Sequence, residues 1–199
     1  GDLYQFPTVE GRVVPIFNIP GITNLNLNIT IVSKIYLGQI TMWNDQEILR
    51  LNPGKSIPRL PIVPVYRADG SGTTFIWTNG MKKSGIWSDT GTSVKWPTGQ
   101  GARGNEGVAA TVQRVRGAIG YVEYIYSKTN NIPMATMDYP LGKTYILLPK
   151  EPRDRQVHNA AVKFFEWSLT HGREIAESMH YQNISVDSAS RIIQELKQI

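Results

Sequence analysis

The sequence predicts an α/β fold, and three observations carry that expectation. Segments with strand composition alternate with segments of helical periodicity along the whole chain. The 199 residues are 41% hydrophobic and 19% charged, enough to bury a substantial core in one large domain or two small lobes, and not a disordered composition. A buried-strand candidate, Ile62-Val63-Pro64-Val65-Tyr66, runs through a short glycine loop directly into a helical stretch.

Residues Thr8 to Phe17 mix β-branched side chains with a glycine that marks a bend, and read as β-structure punctuated by Asn18-Ile19-Pro20-Gly21. Between Ile31 and Leu51 the apolar positions Ile35, Ile40, Ile48 and Leu51 predict short helices, broken at Gly38 and restarted after Asn44 or Asp45 as an N-cap. After the strand at Ile62–Tyr66 comes the loop from Arg67 to Gly72, then a helix from Thr73 to Lys82. A second glycine-rich loop, Gly99 to Gly107, leads into the helical run Val108 to Val115, followed by a strand at Ala118–Val122. Tyr145–Leu148 gives a strand ended by Pro149. The stretch Val157 to Met179 reads as one amphipathic helix, its aromatics Phe164 and Phe165 read as core. A last helix from about Asp187 to Gln198 buries Ile192, Ile193 and Leu196.

Lys and Arg outnumber Asp and Glu by 21 to 16, a formal +5 that favours encounter with anions without choosing one. The excess is dispersed, with no basic block and no stacking platform of aromatics, so no nucleic-acid partner is expected. Cysteine is absent, which removes disulfides and thiolate chemistry. His158, His171 and His180 are out of helical phase for a metal site, and no metal or cofactor is expected. The sequons Asn28-Ile29-Thr30 and Asn183-Ile184-Ser185 mark Asn28 and Asn183 as possible glycan acceptors. No apolar run approaches a membrane span and the first residues carry no signal-peptide pattern, so the expectation is a protein without membrane insertion.

The chemistry sits in Arg67-Ala68-Asp69-Gly70-Ser71-Gly72-Thr73. Glycines at Gly70 and Gly72 allow a tight turn and close approach to a ligand, and the helix that follows aims unpaired N–H groups and its positive end into the same space. Ser71 and Thr73 add hydroxyl donors, and Arg67 offers a planar fork to two oxygens at once. Asp69 reads as the carboxylate that holds Arg67, since pointed at an anion it would repel it. A capped turn with a surface Arg–Asp pair accounts for the same residues, and spacing alone favours it.

Several stretches resemble, in order, the phosphate-specific ABC transporter substrate-binding proteins. They are Leu3-Tyr4-Gln5-Phe6-Pro7-Thr8, Ile35-Tyr36-Leu37-Gly38-Gln39-Ile40, the Arg67–Thr73 loop, Val94-Lys95-Trp96-Pro97, Gly117-Ala118-Ile119-Gly120-Tyr121-Val122-Glu123-Tyr124 and Lys163-Phe164-Phe165-Glu166-Trp167. The resemblance implies a type II periplasmic-binding-protein-like fold that closes on phosphate, in an extracellular or periplasmic, secreted setting. It maps phosphate contacts onto Arg67, Ser71, Gly72 and Thr73, with Asp69 and Gly70 behind them. It also implies one complete lobe, residues 21–128, and an incomplete one, residues 1–20 and 129–199, because the family's first-lobe contacts, including an Asp that accepts the proton of hydrogen phosphate, precede the matched part. Two missing charged contacts at roughly 1.5–3 kcal/mol each weaken binding by about two to four powers of ten. An open sheet edge and an uncovered apolar face are expected there, and with them a partner chain or homodimer completing the first lobe.

Other patterns carry less. Gly99-Gln100-Gly101-Ala102-Arg103-Gly104 has dinucleotide spacing but no strand leading into it and no placed acidic residue. Gly70-Ser71-Gly72 lacks the nucleophile-elbow spacing, and no enzymatic activity is expected. The readings left are a phosphate or similar oxyanion-binding module and, from another class, a protein-interaction or structural protein on the same scaffold. A phosphate-ester hydrolase is a remote third.

Overall fold

In a computed structural model, which describes residues 2–198, the chain begins with a long strand, β1 (Leu3–Phe17). Two short helices follow, α1 (Ile29–Tyr36) and α2 (Gln46–Leu51), capped by the side chains of Asn28 and Asp45. Then come β2 (Val63–Arg67), α3 (Gly72–Lys82), β3 (Gln100–Ala102), α4 (Gly104–Arg114), β4 (Ala118–Glu123) and α5 (Tyr124–Thr129). The chain continues through β5 (Leu141–Pro149), α6 (Arg155–Thr170), α7 (Arg173–Ser178), β6 (Gln182–Asn183) and α8 (Val186–Leu196). It divides into two compact units: Arg12–Leu141, and the residues up to Gly11 together with those from Gly142 onward.

In the Arg12–Leu141 unit the strand order is β3-β2-β4-β1. β2 is parallel to both β3 and β4, and β1 is antiparallel to β4. Alternation along the strands sends side chains to opposite faces. Val13, Phe17, Ile119 and Tyr121 enter one core with α1, α2 and α3; Val14, Ile16, Ala118 and Val122 enter a second core with α4. Gly120 decides how closely α4 approaches, since a Cβ there would lie 2.7 Å from Val108 Cγ1 and 2.9 Å from Val112 Cγ2. Trp43, fully buried, ties the first core to the sheet by donating from Nε1 to the Gly117 carbonyl at 2.9 Å.

The other unit packs Phe6, Leu148, Leu169, Ile184, Ala189, Ile192 and Leu196 into one core, with Ile193 partly buried against it. Val9 and Glu10 of β1 pair with Asn183 and Gln182 of β6, and β5 neighbours β1 in the sheet. The single helix expected from Val157 to Met179 is two: α6 ends at Thr170, with His171 as its C-cap, and α7 restarts at Arg173. At Gly172, between the two helices, a Cβ would sit 2.6 Å from the Ser168 carbonyl oxygen, so the turn has room only for glycine. Phe165 packs on this core, but Phe164 and Trp167 do not; they are 57% and 48% exposed, correcting the reading of both α6 phenylalanines as core. Asn183 donates from Nδ2 to the Arg173 carbonyl and to Glu177 Oε1, and Asn28 caps α1, so each sequon asparagine has a structural task. Among the described residues no helix is long and apolar enough to cross a membrane, and no cluster of His, Asp and Glu has metal-ligand form.

Candidate anion site

The loop that leaves β2 at Arg67 stands at the carboxyl end of a parallel strand. β2 and its neighbour β3 send the helices that follow them to opposite faces: Trp77 and Met81 of α3 lie in one core, Val108 and Val112 of α4 in the other. Such a switch point opens a crevice outside the strand ends, the place where open α/β sheets hold ligands.

Helix α3 begins in this crevice, and the amides of its first turn have no intrahelical acceptor. Two of them are satisfied within the protein. Ser71 N–H donates to the Thr92 carbonyl at 2.8 Å, and Thr74 N–H donates to Ser71 Oγ at 3.3 Å, which makes Ser71 the N-cap. The amides of Gly72 and Thr73 have no protein acceptor among the described residues. The site therefore presents two adjacent N–H groups at the positive end of a helix, an arrangement that attracts an oxyanion.

Gly70 and Gly72 sharpen this. Neither has a positive φ, and a Cβ added at either would meet nothing within 4 Å. The tight turn expected of them is not what requires glycine, because the backbone there is one that any residue adopts. Neither backbone conformation nor packing therefore requires glycine at these two positions.

Arg67 is held by Asp69 in a bidentate pair, Nε to Oδ1 at 2.9 Å and Nη2 to Oδ2 at 2.6 Å. Its side chain is only 10% exposed. Asp69 also accepts the Gly104 amide at 3.1 Å, so the first amide of α4 is taken by an internal carboxylate. These hydrogen bonds, the Arg67 pair first, hold the Asp69 carboxyl well below the usual carboxylate range, and the same pair raises the Arg67 guanidinium. The charges are thus fixed at neutral pH, and the remaining N–H donors of Arg67 have no protein partner among the described residues.

Ser71 and Thr73 are both buried, while Gly72 is exposed. The Thr73 hydroxyl does not stand free. It donates to Glu123 Oε1 at 3.3 Å, and Asn105 Nδ2 reaches the same oxygen at 3.4 Å. The structure thus brings Arg67, Asp69, Ser71, Gly72 and Thr73 together at one helix start, and adds Tyr121, Thr74, Glu123 and Asn105, which the sequence reading missed. The Tyr121 hydroxyl accepts the Arg67 N–H at 3.1 Å and lies 2.7 Å from Thr74 Oγ1. A hydroxyl inside the buried strand Ala118–Val122 was the one available signal, because a buried phenol needs a partner.

The second glycine run does not cradle a dinucleotide. β3 lies inside it, in register with β2 from Val65↔Gln100 to Arg67↔Ala102, and α4 starts with its first amide already on Asp69. Ser71 Oγ serves the helix cap, and no histidine bonds to it among the described residues.

Residues 1–171 match the PBP superfamily domain. The chain is 36% identical over 227 aligned positions to the phosphate-binding protein PstS of Pasteurella multocida, covering 90% of this chain and 66% of that protein. It is 32% identical over 243 positions to PstS of Haemophilus influenzae, covering 98% and 73%. The chain thus spans about two thirds of the length of these curated relatives. The solved phosphate-binding protein from Stenotrophomonas maltophilia superposes with a TM-score of 0.81 at 16% identity, over 98% of this chain and 70% of that one, a likeness of fold. With a type II periplasmic-binding-protein fold and relatives of this identity, the chain belongs to the PBP superfamily and, within it, to the family of the PstS phosphate-binding proteins.

Proposed function

We propose that this chain binds phosphate, or a similar oxyanion, at the start of α3. Arg67 clamps the anion, Ser71 donates its hydroxyl, and Gly72 and Thr73 donate their amides, with Asp69 and Gly70 behind them. The observation that carries this reading is the pair of unpartnered helix amides beside two glycines that neither backbone conformation nor packing requires. The names of the relatives support it. For the Thr73 hydroxyl to join, it must turn away from Glu123. The wider role follows the family: capture outside the cytoplasm and delivery to an ABC transporter, with no catalytic step.

Calorimetry with phosphate and with sulfate, on wild type and on Arg67→Ala, tests the site. Removing a bidentate charged contact, at roughly 1.5–3 kcal/mol per bond, weakens phosphate binding by at least about a hundredfold. Heat with phosphate that disappears in Arg67→Ala is the expected result. Absence of heat in the wild type overturns it in favour of a protein-interaction role on the same scaffold.

A specific observation gives that second role a place of its own. In the unit that holds α6 to α8, Phe164, Trp167, Ile175 and Met179 line an apolar groove and are each about half exposed, and Leu3, Tyr145 and Leu147 are exposed on its strands. Solvent-exposed apolar surface of this kind marks an interaction site. We propose that a partner chain or a second copy covers it. Light scattering at working concentration should then give more than the mass of a single 22.3 kDa chain, and a strictly monomeric mass with the chain alone and after mixing with its cognate extract counts against it.

A further inference from the structure

We infer that Tyr121 is the positioning residue of the anion loop: its hydroxyl, without touching the anion, fixes where Arg67 and the first turn of α3 stand. This rests on the phosphate-site reading above and adds to it a residue on a different strand.

The geometry begins with a gap in the sheet. β2 and β4 are in parallel register only at Val63↔Ala118 and Pro64↔Ile119. Beyond Pro64 the two strands no longer pair, which frees the end of β2 to lead into the crevice and takes the ladder partner from the Arg67 amide. The Tyr121 hydroxyl fills that place, accepting the Arg67 N–H at 3.1 Å. The same oxygen is 2.7 Å from Thr74 Oγ1, on the first turn of α3. One side-chain oxygen therefore joins the residue that enters the loop to a residue just past its exit, and Arg67, Ser71, Gly72 and Thr73 all lie between or beside those two ties.

The phenol itself has little freedom. Tyr121 is fully buried and stacks on Trp77 with ring centroids 5.3 Å apart and 13° between planes. Trp96 and Tyr36 pack around it at 5.8 and 6.2 Å. Burial pushes its pKa up to about 12, so the hydroxyl keeps its proton and a fixed share in both bonds at neutral pH. A rigid ring behind a single shared oxygen is a means of holding a binding constellation in place before the ligand arrives, which lowers the ordering cost of binding.

Tyr36 supplies a control. It is also fully buried in this aromatic group and its hydroxyl also bonds β2, donating to the Val65 carbonyl at 2.9 Å, but it has no hydrogen bond to α3. Tyr121→Phe and Tyr36→Phe each remove one buried hydroxyl that bonds the backbone of β2, and each keeps the ring. The experiment compares phosphate affinity by calorimetry, urea midpoints, and backbone NMR relaxation of residues 67–74 in the free protein. The expected result is a phosphate affinity at least tenfold weaker and a more mobile 67–74 loop in Tyr121→Phe, with both unchanged in Tyr36→Phe although the two midpoints fall alike. Thr74→Val, which removes only the second of the two bonds, should reproduce part of the loss, and the double variant Tyr121→Phe/Thr74→Val should be no weaker than Tyr121→Phe alone, because Tyr121→Phe already removes the bond to Thr74. An unchanged loop and affinity in Tyr121→Phe, or equal losses in both tyrosine variants, overturn the inference. A wild type that fails to bind phosphate is a failure of the site reading; the relaxation of the free loop then decides the role of Tyr121 by itself.

Discussion

Gly72 tests the site with little disturbance to the fold. A methyl group there meets no atom within 4 Å and strains no dihedral, and alanine at a helix start is tolerated better than glycine. Gly72→Ala is therefore expected to keep or raise stability by up to about 1 kcal/mol, while its methyl blocks the approach of an anion to the amides. Thermal melts paired with phosphate calorimetry check this, and full binding by the variant would remove the reason given for glycine. Asp69 makes a second test through pH. Its carboxyl is held below its ordinary value by Arg67 and the Gly104 amide, so the folded state binds the proton less readily than the unfolded chain. The stabilisation is complete above the unfolded value of about 3.9 and drains as pH falls below it. Urea midpoints of wild type should drop as pH falls below about 4 and keep dropping towards pH 2, and Asp69→Asn should flatten that part of the profile. The meeting of the Arg67–Asp69 pair and the Ser71 cap at one helix start was legible because a strand, two glycines, a cap residue and a helix follow one another within a few positions. Tyr121 was not, because it sits 54 residues from Arg67 and nothing local announces the hydrogen bond.

At the scale of elements, Ser71 ties secondary structure to chemistry. Its Oγ accepts the Thr74 amide and caps α3, so Ser71→Ala should destabilise by about 1 kcal/mol. Aspartate caps as well as serine, yet it places a carboxylate in the cradle. Ser71→Asp should therefore keep the urea midpoint and abolish phosphate binding, a combination that neither a purely structural cap nor a damaged fold produces. Reading elements from the sequence worked where a cap or a breaker was explicit, as at Asp45 before α2 and at Pro149, which closes β5. Three of the features it missed have separable reasons. β3 spans three residues inside a glycine run and exists because β2 offers it a parallel edge. α5 is six residues long, too short for its periodicity to register. The division of α6 from α7 falls at Gly172, across which the apolar spacing continues unbroken.

At the scale of the whole molecule the two units differ in what they bury. The cores of the Arg12–Leu141 unit contain Trp43, Trp77, Tyr36 and Tyr121 without solvent contact. The core of the other unit is made of Phe6 and aliphatic side chains, while Val157, Phe164, Trp167, Ile175, Met179 and Val186 remain exposed on its helices. At about 25 cal/mol per Å² of apolar surface, side chains left in solvent contribute nothing to the stability of the unit that carries them. The unit with α6 to α8 is thus expected to open at lower free energy than the unit with the anion loop, since local stability follows buried apolar contact. Hydrogen exchange read by mass spectrometry should show the amides of residues 155–196 exchanging before those of residues 29–36, 72–82 and 104–114, and urea unfolding should show more than one step. Because the anion loop lies in the more stable unit, phosphate should slow exchange in residues 67–82 and leave the first step in place, whereas a bound partner on the apolar groove should raise that first step. Uniform protection across both units with one cooperative transition would contradict the unequal cores and remove the physical motive for a covering partner.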